Sequence, residues 1–226
     1  MPNPYITPHT FRFLRELAAH NDRAWFQAHK QRYQDEVRDP LLRLVADFAP
    51  KLRQVSKNLV ADPRPLGGSL FRIHRDTRFT KDKSPYKTHA ALAFRHADGK
   101  DLPAPGVYLH VEPGNVFMAA GMWHGQPEAL KQIRDAIVAQ PARWRRVRAS
   151  RSAALDDSDD DLARAPRGYD PEHPYLADLR RRSFTSSAEF TAAQACAADL
   201  LARFAKACRQ KAPLMEFLCH AVGRPW

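Results

Sequence analysis

The residues best equipped for chemistry crowd into one stretch, Phe71 to His89, which reads FRIHRDTRFTKDKSPYKTH. Six cations, Arg72, Arg75, Arg78, Lys81, Lys83 and Lys87, stand against only Asp76 and Asp82. Like charges this close repel, so folding must supply either an anionic ligand or internal carboxylate partners. Arginine offers planar, bidentate contacts to phosphate or carboxylate, and lysine offers a point charge. Arg72, Arg75, Arg78 and Lys87 are therefore the first candidates for ligand contacts, with Lys83 completing the set. Tyr86 could stack on a base or donate its hydroxyl, and Asp76 could orient Arg75 or Arg78. The competing reading is an ordinary charged hairpin. In it the two aspartates pair with the arginines, and Lys81, Asp82 and Lys83 form a solvated tip.

A second constellation is smaller. His110 and Glu112 share a strand face with Tyr108, and His74 could face them from a neighbouring strand. Two histidines and a carboxylate can bind a transition metal or move protons. No H-E-x-x-H or comparable local motif accompanies them, so no metal and no cofactor are expected. The chain also lacks a Walker loop, G-x-G-x-x-G and G-x-S-x-G. A third cationic feature is Arg143 to Arg151, where five arginines and Trp144 look like a nucleic-acid patch. The acidic run Asp156 to Asp161 follows at once and could neutralise it within the molecule.

These residues need elements to hold them. Phe13, Leu14 and Leu17 recur at helical spacing in Thr10 to Ala19, with Thr7 or Thr10 as N-cap. Asn21 reads as the N-cap of a short helix anchored by Trp25 and Phe26, which should pack beneath the sheet or against the C-terminal helices. Asp39-Pro40 reads as the start of a third helix, and Pro50 as an interruption of it. Asp62 to Gly68 is a turn-rich break, after which the period changes to that of strands. Ser69 to His74 is expected as a strand, with Leu70, Arg72 and His74 on one face and Phe71 and Ile73 on the other. Ala90 to His96 is a second strand, broken by Asp98-Gly99 and by Pro103 to Gly106. Val107 to Glu112 and Val116 to Trp123 form a hairpin about Pro113-Gly114-Asn115. Helices follow over Pro127 to Ala139 and the basic segment after it, and Asp156 to Asp161 is read as an exposed loop. Ser186 and Glu189 suggest a capping box opening a long helix, and Pro213 the start of a last one. The fold class is thus α+β: a central, mostly antiparallel sheet of about four strands within residues 69–123, flanked by N-terminal and C-terminal helices.

Several stretches together carry a likeness. They are Asn21-Asp22-Arg23-Ala24-Trp25-Phe26, the stretch Phe71 to Lys87 with its specific core from Arg75 to Lys87, the hairpin Tyr108 to Trp123, and Pro166-Arg167-Gly168-Tyr169-Asp170 with His173-Pro174. In these the chain resembles the bacterial and fungal family called domain of unknown function 2461. The likeness implies one module spanning residues 1–226, and it brings no activity with it.

The remaining bounds come from composition. The chain has 226 residues, 44% of them hydrophobic, enough for a core without staples. No apolar run approaches the roughly 20 residues that span a bilayer, so no membrane partner is expected. The N-terminus lacks signal-peptide features, which points to the cytoplasm. Cys196, Cys208 and Cys219 lack C-x-x-C spacing and read as buried helical thiols. The formal net charge of +11 favours an anionic partner. The expectation is a cytoplasmic protein that binds an anionic small molecule, phosphorylated or nucleotide-like, in a basic cleft. A non-catalytic nucleic-acid-binding module is the second partner class that the charge admits. The sequence sets neither an oligomeric state nor a reaction.

Overall fold

A computed structural model describes residues 3–99 and 104–226. The protein is α+β, with an open five-stranded antiparallel sheet in the order β1-β2-β3-β4-β5. The strands are β1 (Leu59–Val60), β2 (Ala90–His96), β3 (Gly106–Glu112), β4 (Asn115–Met122) and β5 (Phe184–Phe190). The register places Leu92 opposite Leu109, Leu109 opposite Met118, and Met118 opposite Ala188. Alternation then divides the sheet into two faces. Leu92, Phe94, Val107, Leu109, Val111, Val116 and Met118 form the inner face and are buried.

The described helices cover that inner face. Before the sheet come α1 (Pro8–Ala19), α2 (Arg23–Ala28), α3 (Lys30–Tyr33) and α4 (Asp39–Arg53). After the hairpin come α5 (Pro127–Ala139), α6 (Pro141–Ala149) and α7 (Leu176–Leu179), and beyond β5 come α8 (Ala192–Ala195) and α9 (Leu200–Ala221). Phe48 of α4, Phe94 of β2 and Phe204 of α9 meet at the centre, with ring centroids 4.6–5.8 Å apart. A second apolar cluster gathers Trp144, Phe184, Phe217 and Ile133. Helix α9 bridges the two clusters, with Phe204 and Cys208 in the first and Phe217 and Leu218 in the second. Cys208 and Cys219 are buried on α9, whereas Cys196 is partly exposed beyond α8. No described helix is long and apolar enough to cross a membrane.

The structure departs from the sequence expectations at particular residues. Asn21 is not the cap of α2. Asp22 is, its carboxylate accepting the Trp25 N–H at 2.8 Å. Trp25 is only partly buried, stacked between His20 and His29, while Phe26 is fully buried. Asp39-Pro40 opens α4 as expected, but Asp39 is not an N-cap at a free helix end, because a π-helical turn over Gln34–Arg38 joins α3 to α4. Proline has no N–H to offer the carbonyl four residues back. The Glu36 carbonyl instead accepts the Thr10 hydroxyl at 2.8 Å. Pro50 and Pro213 both lie inside continuous helices, since the apolar packing around them outweighs one lost hydrogen bond each.

Three errors concern the sheet. Ser69 to His74 is extended but makes no regular strand. Its first half bonds to β2, through Phe71 N–H to Ala91 O at 2.9 Å. Its second half bonds to its own return, through Lys87 N–H to Ile73 O at 2.8 Å. Changing partners breaks the ladder, so Leu70 and Ile73 are both buried and the expected two-residue alternation fails. Residues 186–190 belong to β5 rather than to a helix, and the capping box falls at Thr191 and Gln194 instead. The S/T-x-x-E/Q pattern occurs twice in succession, and the first copy is overridden by the bare edge of β4, which needs a partner. The two-residue β1 carried too little pattern to be foreseen. Of the break expected after β2, Pro103 lies outside the described residues.

Candidate functional site

Among the described residues, the outer face of the sheet bears no helix. Its rows can be read from the register. Tyr108 lies opposite Ala93 and Ala119, and Ala119 opposite Ser187. Gly106 lies opposite Gly121, and Gly121 opposite Thr185. Small side chains in these rows leave a depression, while larger groups rise around it. The result is a groove of about 1040 Å³ walled by Phe71, Tyr108, His110, Phe117 and Trp123, and by the segment Asp156 to Asp160. Gly121 is required here for a backbone reason. Its φ is +138°, and a Cβ atom would sit 2.0 Å from the Phe184 carbonyl oxygen.

The sequence reads the acidic run as an exposed loop able to neutralise the Arg143–Arg151 helix. Asp156 instead fastens it to β5, accepting both the Ser187 N–H and the Ser187 hydroxyl at 2.8 Å. Arg181 donates to the Asp156 carbonyl at 2.8 Å. The run therefore makes one wall of the groove. Two arginines of α6 find other acceptors: Arg148 lies 3.3 Å from Asp178 and Arg143 lies 3.4 Å from Glu216.

Along β3 runs a chain of polar contacts. The Tyr108 hydroxyl is 3.1 Å from His110 Nδ1, and His110 Nε2 is 3.2 Å from Glu112 Oε2. The Thr88 hydroxyl donates to Glu112 Oε1 at 3.2 Å. His89 joins from the chain entering β2, its ring centroid 4.4 Å from that of His110. Ligand atoms of His89, His110 and Glu112 lie within 4.8 Å of one another. Burial, and then the neighbouring charge of Glu112, push the Tyr108 hydroxyl above its ordinary value. Burial, and then His110, hold His89 below its own. His74 does not belong to this group. It packs near Tyr86 and Phe26 instead, at 5.2 and 6.3 Å between centroids. The sequence missed His89, although the register extrapolated from Ala90 opposite Val111 sets it across from Glu112.

The basic stretch divides into a tip and a root. At the tip, Arg75 pairs with Asp82, and Arg78 pairs with Asp76 at 2.7 Å. Hydrogen bonds from Arg75 to Asp82, and from Arg78 to Asp76, hold both carboxyls below their usual range. Lys83 donates to the Thr77 carbonyl at 2.8 Å. Tyr86 cannot stack on a ligand as expected: it is 3% exposed, and its ring lies 4.1 Å from that of Phe26. Its backbone is gripped by Asn21, whose amide donates to Tyr86 O at 2.9 Å and accepts Tyr86 N–H at 3.0 Å. At the root, Lys87 donates to the Arg72 carbonyl at 3.1 Å. Burial, and then the charge of Arg72, lower the Lys87 pKa. Lys87 Nζ and the Arg95 guanidinium stand 5.2 and 5.4 Å from the centroid of one ring, Phe71, which lines the groove.

The fold and groove define an α+β protein that presents the bare face of an antiparallel sheet as a ligand-sized cleft. The chain belongs to the family described as "Conserved hypothetical protein (DUF2461)", which it matches over residues 9–217. No curated protein and no solved structure matches it.

Proposed function

We propose that the protein binds an anionic small molecule, phosphorylated or nucleotide-like, in the groove on the outer face of the sheet. One observation carries the reading: Lys87 and Arg95 are drawn to a single aromatic ring at one end of that groove. Neither cation has an ion-pair partner among the described residues, and both are held over the ring by its negative face. An anion bound beside this ring would supply the missing counter-charge and gain charge-assisted hydrogen bonds. Arg72, whose charge acts on Lys87, adds to the same positive end. Phe71, Tyr108 and Phe117 offer flat apolar surface for a ring attached to the anion. The groove's volume suits one small molecule and is far too short for a long polymer.

The test is thermal stabilisation by nucleotides and sugar phosphates, followed by titration calorimetry. A ligand at a hundred times its Kd should add about 2.7 kcal/mol to stability. Lys87→Ala and Arg95→Ala should each abolish that gain, whereas Lys81→Ala, at the loop tip, should leave it intact. Absence of stabilisation by every phosphorylated compound at millimolar concentration removes the reading. Equal losses from tip and root substitutions, with a steep salt dependence of binding to an oligonucleotide, would favour the nucleic-acid module instead.

A further inference from the structure

We infer that His89, His110 and Glu112 form a binding site for one divalent transition-metal ion of the zinc class, with a free coordination position toward the groove. Three observations meet in this cluster. The first is the donor set. Two imidazoles and a carboxylate suit zinc and its first-row neighbours, while magnesium and calcium prefer oxygen alone. Three protein ligands with a fourth position left open is the arrangement that zinc adopts where it meets a substrate or water.

The second is spacing. Ligand atoms on a tetrahedral ion with bonds of about 2.0–2.1 Å lie about 3.3 Å apart. His110 Nε2 and Glu112 Oε2 are already 3.2 Å apart. The atoms of all three residues fall within 4.8 Å. His89 is half-exposed, so a turn of its side chain can close the remaining gap without moving the sheet. The strand pairing fixes the other two residues, since His110 and Glu112 project from the same face of β3 two positions apart.

The third is the surrounding support. A metal-bound imidazole generally uses its other nitrogen in a hydrogen bond, which fixes ring and tautomer. His110 Nδ1 has the Tyr108 hydroxyl at 3.1 Å, leaving Nε2 for the ion. Thr88 donates to Glu112 Oε1, leaving Oε2 for the ion. The Phe117 ring stacks on His110, 4.9 Å between centroids and 18° between planes, and holds the imidazole upright. All three ligands line the groove, so the fourth position opens into it. The inference does not depend on the anion reading, because the ion can be titrated with no other ligand present.

The experiment uses the full chain, treated with a chelator and titrated with zinc by calorimetry. Cobalt is titrated in parallel, because four-coordinate cobalt absorbs strongly in the visible range. One equivalent of zinc, and intense cobalt bands from one equivalent, are expected. His89→Ala and Glu112→Gln should each abolish both signals. Tyr108→Phe, which removes only the support of His110, should weaken zinc by about 10–100-fold. Melting curves without metal show whether each variant is folded. Should His110→Ala fail to fold, half-exposed His89 and the near-isosteric Glu112→Gln decide the matter alone. Unchanged zinc affinity in either of those variants, or no binding by the wild type at millimolar zinc, overturns the site.

Discussion

Asn21 ties the basic stretch to the helical layer, and its removal should be felt in both stability and binding. Its amide makes two hydrogen bonds, one to each backbone group of Tyr86. Tyr86 is 3% exposed, so Asn21→Ala leaves a donor and an acceptor without partners at a buried residue. A net bond contributes about 0.5–1.5 kcal/mol, and an orphaned buried group costs about 1–3 kcal/mol. Asn21 itself is only partly buried, and water can reach some of the space it vacates. The expected loss is therefore in the lower part of the summed range, about 2–4 kcal/mol. At roughly 2–4 °C per kcal/mol for a chain of this size, the melting point should fall by about 4–16 °C. Asn21→Asp keeps the acceptor for the Tyr86 N–H and should lose about half as much. Asp22→Ala is the control, since it removes a helix cap and should cost about 1 kcal/mol. Tyr86 is followed directly by Lys87, so Asn21→Ala should also weaken anion binding, whereas Asp22→Ala should not. Urea denaturation and ligand titration on the three variants supply the measurement. A loss from Asn21→Ala no greater than that from Asp22→Ala would mean that Asn21 acts merely at the helix start, and would refute the argument.

Two further outcomes are expected. Gly121→Ala should destabilise by about 1–3 kcal/mol or more, because the new Cβ meets the Phe184 carbonyl in a conformation that alanine resists; an unchanged melting point would show that β4 and β5 can part at no cost. Tyr33, whose hydroxyl burial pushes up to about 12, should make stability fall at alkaline pH. Its neutral form is favoured in the folded state, so its contribution is complete below about pH 10 and disappears as pH rises toward 12. The share lost by pH 11 should be about 1 kcal/mol, and Tyr33→Phe should show a shallower decline in urea midpoint between pH 9 and 11.

What the sequence made legible follows from how local each signal was. The α+β class and the β3–β4 hairpin could be read because alternation and a Pro-Gly turn are written in consecutive residues. The placement of Tyr108, His110 and Glu112 on one face came from the same two-residue period. His89 was out of reach, because its partnership with Glu112 depends on the register between β2 and β3, which no local pattern specifies. Strand β5 was misread for a related reason. Ser186 and Glu189 form a sound helix-start signal, yet the residues pair with Ala120 and Phe117 of β4, far back along the chain. The groove could not be read at all. It exists because Ala93, Gly106, Ala119 and Gly121, from three strands, fall side by side where large side chains would have filled the space.

The charge imbalance that singled out residues 71–89 takes a different meaning in three dimensions. Six cations against two carboxylates suggested that the loop itself was the site. Both carboxylates, however, are taken up at the tip by Arg75 and Arg78, and Lys83 rests on a carbonyl. A tip neutralised from within has little reason to recruit an anion. Arg72 and Lys87 lie at the other end, where the stretch meets the sheet and where Phe71 and His89 turn into the groove. There Asp76 acts on Arg72 from the tip, neither aspartate is paired with Lys87, and Arg95 of β2 adds another positive charge beside the same ring. The hairpin reading thus describes the tip, and the anion-site reading is favoured at the root. The chemistry to be sought is accordingly on the bare face of the sheet, where Phe71 and Arg95 line one groove with the His89, His110 and Glu112 cluster and Lys87 stands over the Phe71 ring.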